Sequence, residues 1–187
     1  KYNNNEYTSG RLLTKNKKTF TYGRFEARIK FPGGKGTWPA FWMLGNSGNW
    51  PNCGEIDIME HVGSIPNRAS FALHTVEKNG TRGNNWHSTK MFDYSLADDF
   101  HTYAVEWAQE EKDGKDVIRF FVDGVQYAEQ WEAKIDNNDS WPFNKPHFII
   151  LNLAIGGTMG GSGDDAIFNV PRIMYVDYVR VYQRTEK

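Results

Sequence analysis

Three carboxylates stand close together in segment 55–60, which reads EIDIME. The intervening residues are apolar and mostly β-branched, which is typical of a strand. In a regular strand Glu55 and Asp57 share one face and Glu60 lies on the other, but a β-bulge near Met59 would bring all three acids together. The two isoleucines would then point into a core. Clustered acids raise one another's pKa, so that one carboxyl can serve as a nucleophile while another stays protonated as an acid.

The flanks of this segment favour catalysis over two simpler explanations, a solvent-facing acidic strand and a calcium site. Segments 38–42 and 50–51 contribute three tryptophans, Trp38, Trp42 and Trp50. Indole rings stack on the apolar faces of sugars, whose hydroxyls bond to acids and amides. Calcium sites prefer loops with Asp, Asn and Gly ligands to a bulged apolar strand. The combination therefore indicates a site that acts on carbohydrate.

The composition is that of one globular domain spanning residues 1–187. A net charge of −1 gives no reason to expect nucleic acid or an anionic membrane as a partner. Aromatic residues make up 15% of the chain, more than packing alone tends to need. No apolar run is long enough to span a bilayer, and no signal peptide precedes Lys1. The single Cys53 rules out an internal disulfide and is expected to fill space in the core.

Short strands separated by turn signals run along the chain, and no segment shows a sustained helical period. Residues 20–31 and 175–183 alternate between apolar and polar side chains, and residues 117–131 predict a hairpin around an Asp-Gly turn. The near-continuous apolar run 146–155 predicts a buried strand, and the glycine-rich segment 156–163 predicts a loop. These patterns favour an all-β fold, with a sandwich as the expected architecture.

Several segments resemble glycoside hydrolase family 16, and more narrowly its laminarinase-like branch with a bulged catalytic strand. The matching segments are 22–28, 38–42, 54–61, 73–75, 100–107, 150–153 and 176–182. The resemblance covers nearly the whole chain. It implies a jelly-roll β-sandwich with a concave substrate cleft, a secreted protein, and retaining hydrolysis of β-glycosidic bonds.

The resemblance also implies roles for the acids. Glu55 would be the nucleophile that forms a glycosyl-enzyme intermediate, and Glu60 would be the general acid that later becomes the base. Asp57 would tune the ionisation of both. A bulged strand can hold two carboxyls about 5–5.5 Å apart, which is the separation of retaining enzymes. We therefore expect retaining endo-hydrolysis of β-1,3-glucosidic bonds in laminarin-type β-glucans, with no cofactor for catalysis.

Seven further residues are candidates for substrate binding. They are Glu26, Arg28, Trp38, Trp42, Trp50, His74 and Asn152. Glu26 and Arg28 match family positions near the cleavage point, with an ordinary cross-strand ion pair as the alternative. His74 matches a family histidine near the nucleophile. Asn152 is polar within an apolar strand, and a role in binding sugar hydroxyls explains it better than a place in the core.

Two features depart from the family pattern. Relatives usually carry several more strands before the position of Lys1, including part of the cleft wall and of a structural calcium site. Asp177 matches a ligand of that site, but the partner ligands are absent, so calcium binding is left open. We expect a monomer, with self-association through uncovered sheet edges as the alternative. Met159 stands near a position where relatives often have a tryptophan, so one sugar subsite is expected to be weaker.

Two other functions are alternatives. Mixed-linkage β-1,3-1,4-glucanases, or lichenases, typically space their acids E-x-D-x-E without a bulge, and the extra Met59 argues against that group. A non-catalytic glucan-binding module on the same fold commonly loses one or both catalytic glutamates. This chain keeps Glu55 and Glu60, which favours an enzyme.

Overall fold

A computed structural model describes residues 6–109, 113–132, 141–162 and 168–184. The strands in these ranges are β1 Arg11–Leu13, β2 Gly23–Lys30, β3 Thr37–Gly45, β4 Glu55–Glu60, β5 Arg68–His74, β6 Trp86–Met91, β7 His101–Gln109, β8 Asp116–Val122, β9 Val125–Trp131, β10 His147–Ile155 and β11 Tyr175–Tyr182. A 3-10 turn, Pro142–Asn144, and one helical turn, α1 Gly157–Gly160, complete the assigned elements. No helix among the described residues has the length and apolar character needed to cross a membrane.

The strands form two antiparallel sheets that face each other across one core. The first sheet has the order β1-β10-β3-β4-β5-β6, and the second has the order β11-β2-β7-β8-β9. Large aromatic side chains from both sheets fill the space between them, among them Phe41 and Phe71 from the first sheet and Phe25 and Trp107 from the second. The all-β jelly-roll sandwich expected from the sequence is confirmed.

Alternation decides which side of each strand is buried. On β2, Phe25, Ala27 and Ile29 are fully buried, as the alternation of residues 20–31 predicts. The predicted hairpin is β8–β9, and its turn residues Asp123 and Gly124 have φ angles of 49° and 80°. These positive values are the ones that a tight primed turn requires, which explains the Asp-Gly pair.

Strand β10 is the buried strand predicted at 146–155, and it pairs with β3 along its whole length. The glycine-rich segment that follows is not only a loop, because Gly157–Gly160 form one helical turn. Gly157 has a φ of 77°, and a Cβ there would lie 3.2 Å from the Trp38 ring. Glycine at this position therefore lets the turn close onto the indole.

One edge of the sandwich is open to solvent in the described part of the chain. Leu12 on β1 is 71% exposed. On β11, Val176 and Val179 pair with residues of β2 whose side chains are buried, yet they are 37% and 39% exposed. The uncovered edges expected from the sequence are therefore present, whereas self-association through them stays a prediction.

Candidate active site

A β-bulge in β4 brings the three acids to one side. Met59 lies opposite Phe41 of β3, and Asp57 lies opposite the next residue of that strand, so Ile58 is the extra residue. The register with β5 shifts over the same residues. Both Ile58 and Met59 are buried in the core, and the three carboxylates all line one cleft on the outer face of the first sheet. The bulge thus lies where the sequence predicts it.

The cleft has a volume of about 410 Å³. Its lining residues are Ser9, Gly10, Arg11, Trp38, Ala40, Trp42, Glu55, Asp57, Glu60, Asn152, Leu153 and Ala154. Three of them, Ser9, Gly10 and Arg11, were not expected at the site from their sequence. They reach the cleft because Arg11 pairs with Asn152 of β10 and the Ser9 hydroxyl donates to the carbonyl of Leu153. No local pattern marks this contact, since the paired segments lie far apart in the sequence.

Trp38 forms a hydrogen bond with Glu60, the candidate general acid. Its indole N–H donates to Oε1 of Glu60 at 3.0 Å. A Cβ at Gly157 would lie 3.2 Å from the Trp38 ring, so the absence of a side chain there leaves room for the indole. Trp38 therefore orients Glu60 and also forms part of the cleft wall.

Trp42 and Asn152 form a second fixed pair in the cleft. The Trp42 indole N–H donates to Oδ1 of Asn152 at 2.7 Å. The Arg11 guanidinium lies 4.8 Å from the centroid of the Trp42 ring, within range of a cation–π contact. Asn152, which the sequence marks as polar in an apolar strand, thus fixes the indole ring and lines the cleft.

His74 lies next to two of the carboxylates. Its Nε2 is 3.1 Å from Oδ2 of Asp57 and 3.8 Å from Oε1 of Glu55. Despite this short distance, Oδ2 of the buried Asp57 has no hydrogen-bond partner in the described part of the chain. The ring centroid of Trp50, a half-exposed residue, lies 5.9 Å from that of His74, and the Trp50 side chain also hydrogen-bonds Glu55.

Glu55, Asp57 and His74 also form the one group among the described residues whose side chains could together hold a metal ion. Donor atoms of Glu55, Asp57 and His74 lie within 4.8 Å of one another. However, the backbone N–H of Gly80 donates to Nδ1 of His74 at 3.0 Å. Since a neutral imidazole carries one proton, that proton sits on Nε2, the nitrogen that faces the acids. His74 therefore presents a protonated nitrogen to the carboxylates, and this nitrogen has no lone pair left for a metal.

Burial raises the pKa of all three acids. It raises the pKa of Glu55 to about 8, with repulsion from Asp57 as the second cause and nearby His74 acting in the opposite direction. Burial and then the charge of Glu60 raise the pKa of Asp57 well above its usual value. Burial also raises the pKa of Glu60, while the hydrogen bond from Trp38 lowers it. The site therefore holds protons near neutral pH, as acid catalysis requires.

Glu26 and Arg28 do not belong to this site, contrary to the expectation from the sequence. They lie on β2 of the second sheet, on the face that points away from the core, whereas the cleft is on the outer face of the first sheet. Glu26 accepts hydrogen bonds from Arg24 and Tyr178. Arg28 forms an ion pair with Asp177 at 2.9 Å, which is the cross-strand pair weighed as the alternative.

The surroundings of Asp177 do not fit a calcium site. Its side chain is 51% exposed, and its carboxylate accepts a hydrogen bond from the Arg28 guanidinium. Among the described residues, Asp177 is not part of any group of three or more carboxylate, histidine or cysteine ligands. Calcium prefers six to eight oxygen ligands, and a cation already occupies the position beside this carboxylate.

Comparisons with known proteins agree with this geometry. The model of the family "Glycosyl hydrolases family 16" matches residues 1–178. A beta-glucanase of Rhodothermus marinus is 41% identical over 194 residues, which cover 99% of this chain and 65% of that protein. The chain thus spans less than two thirds of that relative's length.

Solved structures of similar sequence share the fold. The laminarinase of Rhodothermus marinus has a TM-score of 0.89 and 41% identity, covering 100% of this chain and 75% of that one. SCLam, a non-specific endo-beta-1,3(4)-glucanase, has a TM-score of 0.83 and 38% identity, covering 94% of this chain and 63% of that one. The bulged strand with its three acids, the two-sheet sandwich and these similarities agree. The chain belongs to glycosyl hydrolase family 16.

Proposed function

We propose that this protein is a retaining endo-β-1,3-glucanase that acts on laminarin-type glucans. The observation that carries the proposal is the bulge in β4, which presents Glu55, Asp57 and Glu60 to one tryptophan-lined cleft. Paired carboxylates hydrolyse glycosides without a catalytic cofactor. The similarity to proteins named laminarinase and beta-glucanase supports the choice of substrate.

The reaction has two steps. In the first, Glu60 gives its proton to the glycosidic oxygen while a carboxylate oxygen of Glu55 attacks the anomeric carbon, and the leaving sugar departs as an alcohol. In the second, the ionised Glu60 takes a proton from water, and the water oxygen attacks the same carbon and displaces Glu55. Two displacements on opposite faces keep the anomeric configuration. The raised pKa of Glu60 suits this role, because the residue must begin protonated.

Asp57 provides the ionised state of the nucleophile. Hydrogen bonding between its carboxyl group and that of Glu55 raises the pKa of Glu55 and lowers the pKa of Asp57, which places one proton between the two groups. When the proton sits on Asp57, Glu55 is ionised and free to attack, and the pair carries one negative charge instead of two. Burial, the larger effect, raises the pKa of Asp57 and favours this neutral form, whereas the hydrogen bond with Glu55 lowers that pKa. We assign to Asp57 the role of tuning both glutamates.

Substrate is held by the walls of the cleft. Trp38, Trp42 and Asn152 line it, and we assign them the sugar units beside the acids. Trp50 is exposed enough to stack on a sugar face, and it lies beside His74 at the end of the strand pair β4–β5. Met159 is partly buried where a tryptophan would supply a further platform, which fits a weaker subsite there.

The remaining proposals concern the protein as a whole. We propose that residues 1–187 act as one catalytic domain whose partner is a β-glucan polysaccharide. We also propose that the protein is secreted, as its family membership suggests. Because the residues around Asp177 do not fit calcium, no structural calcium is included.

Assays on laminarin, lichenan and agarose test the proposal. Release of oligosaccharides from laminarin with retained anomeric configuration in the first product, followed by NMR, is the expected result. Faster hydrolysis of lichenan would favour the mixed-linkage alternative. The similarity to a non-specific endo-beta-1,3(4)-glucanase is the reason to include this substrate. Binding of laminarin without any hydrolysis would show that the protein is a glucan-binding module.

A further inference from the structure

The loop between β5 and β6 reaches the active site through one backbone N–H. The N–H of Gly80 donates to Nδ1 of His74 at 3.0 Å, on the side of the ring that faces away from the acids. On the other side, Nε2 lies 3.1 Å from Asp57 and 3.8 Å from Glu55. Because Nδ1 accepts, the ring proton is on Nε2 and points toward the two carboxylates. The loop therefore selects the tautomer of His74.

Asn79 holds this loop in shape from inside. Its side chain is 3% exposed and makes three hydrogen bonds to the backbone of the loop. Nδ2 donates to the carbonyls of Thr75 and Val76 at 3.2 and 3.0 Å, and Oδ1 accepts the N–H of Arg82 at 3.2 Å. The Asn79 N–H in turn donates to Oδ1 of Asn84. Such a buried, well-bonded amide fixes the backbone of its neighbour Gly80.

Little space separates the loop from the ring. A Cβ added at Gly80 would lie 3.2 Å from Cε1 of His74, closer than an ordinary van der Waals contact. Trp50 lies beside the same ring, with the two centroids 5.9 Å apart. The position of His74 therefore depends on the position of Gly80, and through it on Asn79.

We propose that Asn79 is a positioning residue for the reaction: it holds the Gly80 N–H against Nδ1 of His74, so that Nε2–H faces Asp57 and Glu55. Asn79 is not among the residues that line the cleft. It acts on the carboxylates only through the histidine. The inference rests on the proposed glucanase function for its kinetic effect, although the tautomer of His74 can be measured without it.

The first experiment compares Asn79→Ala with a control variant, Asn85→Ala. Asn85 lies in the same loop, but its side-chain amide donates only to the carbonyl of the adjacent Trp86 among the hydrogen bonds described. On laminarin, Asn79→Ala is expected to lower kcat by about 10- to 100-fold with little change in KM, since misplacing a group near the reacting atoms affects the chemical step. Asn85→Ala is expected to keep the parent kcat. Gly80→Ala, which presses on the His74 ring, should resemble Asn79→Ala.

A double-mutant cycle separates positioning from general damage. If Asn79 acts through His74, adding Asn79→Ala to His74→Ala lowers kcat no further. A full additional loss in the His74→Ala background, or an unchanged kcat in folded Asn79→Ala, would overturn the proposal.

Ring ¹⁵N NMR of the unmodified protein gives a readout that needs no activity. Nδ1 of His74 is expected to resonate as an unprotonated nitrogen and Nε2 as a protonated one, and the opposite pattern would refute the inference even if every variant failed to fold. If the parent protein leaves laminarin intact, the glucanase proposal fails, and the NMR result alone decides the role of the loop.

Discussion

The indole N–H of Trp38 donates to Oε1 of Glu60 at 3.0 Å. This hydrogen bond stabilises the ionised carboxylate and so lowers a pKa that burial raises. In Trp38→Phe the pKa of Glu60 should rise, and the high-pH limb of the kcat/KM profile should move to higher pH because the acid keeps its proton longer. Trp42→Phe is the matched control, since its N–H bonds Asn152 and not an acid. An equal shift in both variants would contradict the assignment.

Glu55→Gln and Glu60→Gln should each lower kcat on the order of 10³-fold or more, as is typical when an essential group is lost. Both changes are nearly isosteric, and circular dichroism should show an intact fold. Azide should rescue the alanine variants, because a small anion can replace the missing carboxylate. NMR of the products should show inversion with Glu55→Ala and retention with Glu60→Ala. The same stereochemistry from both would exclude the assigned roles.

The activity of the parent protein should follow a bell-shaped pH profile. The low-pH limb reports ionisation of the Glu55–Asp57 pair, and the high-pH limb reports loss of the proton from Glu60. Since burial raises the pKa of each acid, the low-pH limb should lie above the range of an ordinary carboxyl group. Asp57→Asn removes the partner that shares the proton and should move this limb. A profile that keeps its shape in Asp57→Asn would show that Asp57 is not a tuner.

The carboxylate of Glu55 should lower the stability of the fold. Its pKa is about 8 in the folded chain against 4.5 for the ordinary group, so the folded state binds the proton more tightly. Stability from this group is present below about pH 4.5 and is lost as the pH rises through about 8. Glu55→Gln should therefore raise the melting temperature more at pH 8 than at pH 4.5. The difference corresponds to a free energy of unfolding on the order of a few kcal/mol. Equal melting shifts at both pH values would contradict this.

Acid should destabilise the protein partly through His147. This ring is fully buried, bonds the carbonyl of Lys145 through Nδ1, and has a pKa lowered by burial to about 4. The change of stability with pH is therefore opposite to the one caused by Glu55. The stability that comes from the neutral His147 ring is present above the ordinary pKa of 6.5, and it is lost as the pH falls toward the pKa of about 4 in the folded chain. His147→Asn keeps a donor near Nδ1 and should show a smaller fall in melting temperature between these pH values, whereas exposed His87→Asn should behave like the parent.

The sequence was a good guide wherever a local pattern decides the structure. The spacing of the acids on β4 is compatible with a common face only if one residue is extra, so the bulge at Ile58 could be predicted. Alternation fixed the buried face of β2, and the Asp-Gly pair fixed the turn at Asp123. Each of these features depends on neighbouring residues alone.

Features that depend on distant pairing were not predictable in the same way. Alternation correctly puts Glu26 and Arg28 on an outer face, but a sandwich has two outer faces, and only the pairing of β2 with β7 and β11 tells which one. Arg11 enters the cleft through a three-residue strand that pairs with β10. The helical turn at Gly157 is too short to produce a periodic pattern.

The extra residue in β4 also bears on how such sites evolve. Losing the codon for Met59 would leave the three acids alternating regularly with the isoleucines, so they would still face the cleft. The bulged and unbulged acid spacings are therefore one in-frame deletion apart, and both present Glu60 to the cleft. An insertion beside Met59 would also restore regular alternation, since the last glutamate would then lie six residues after Glu55.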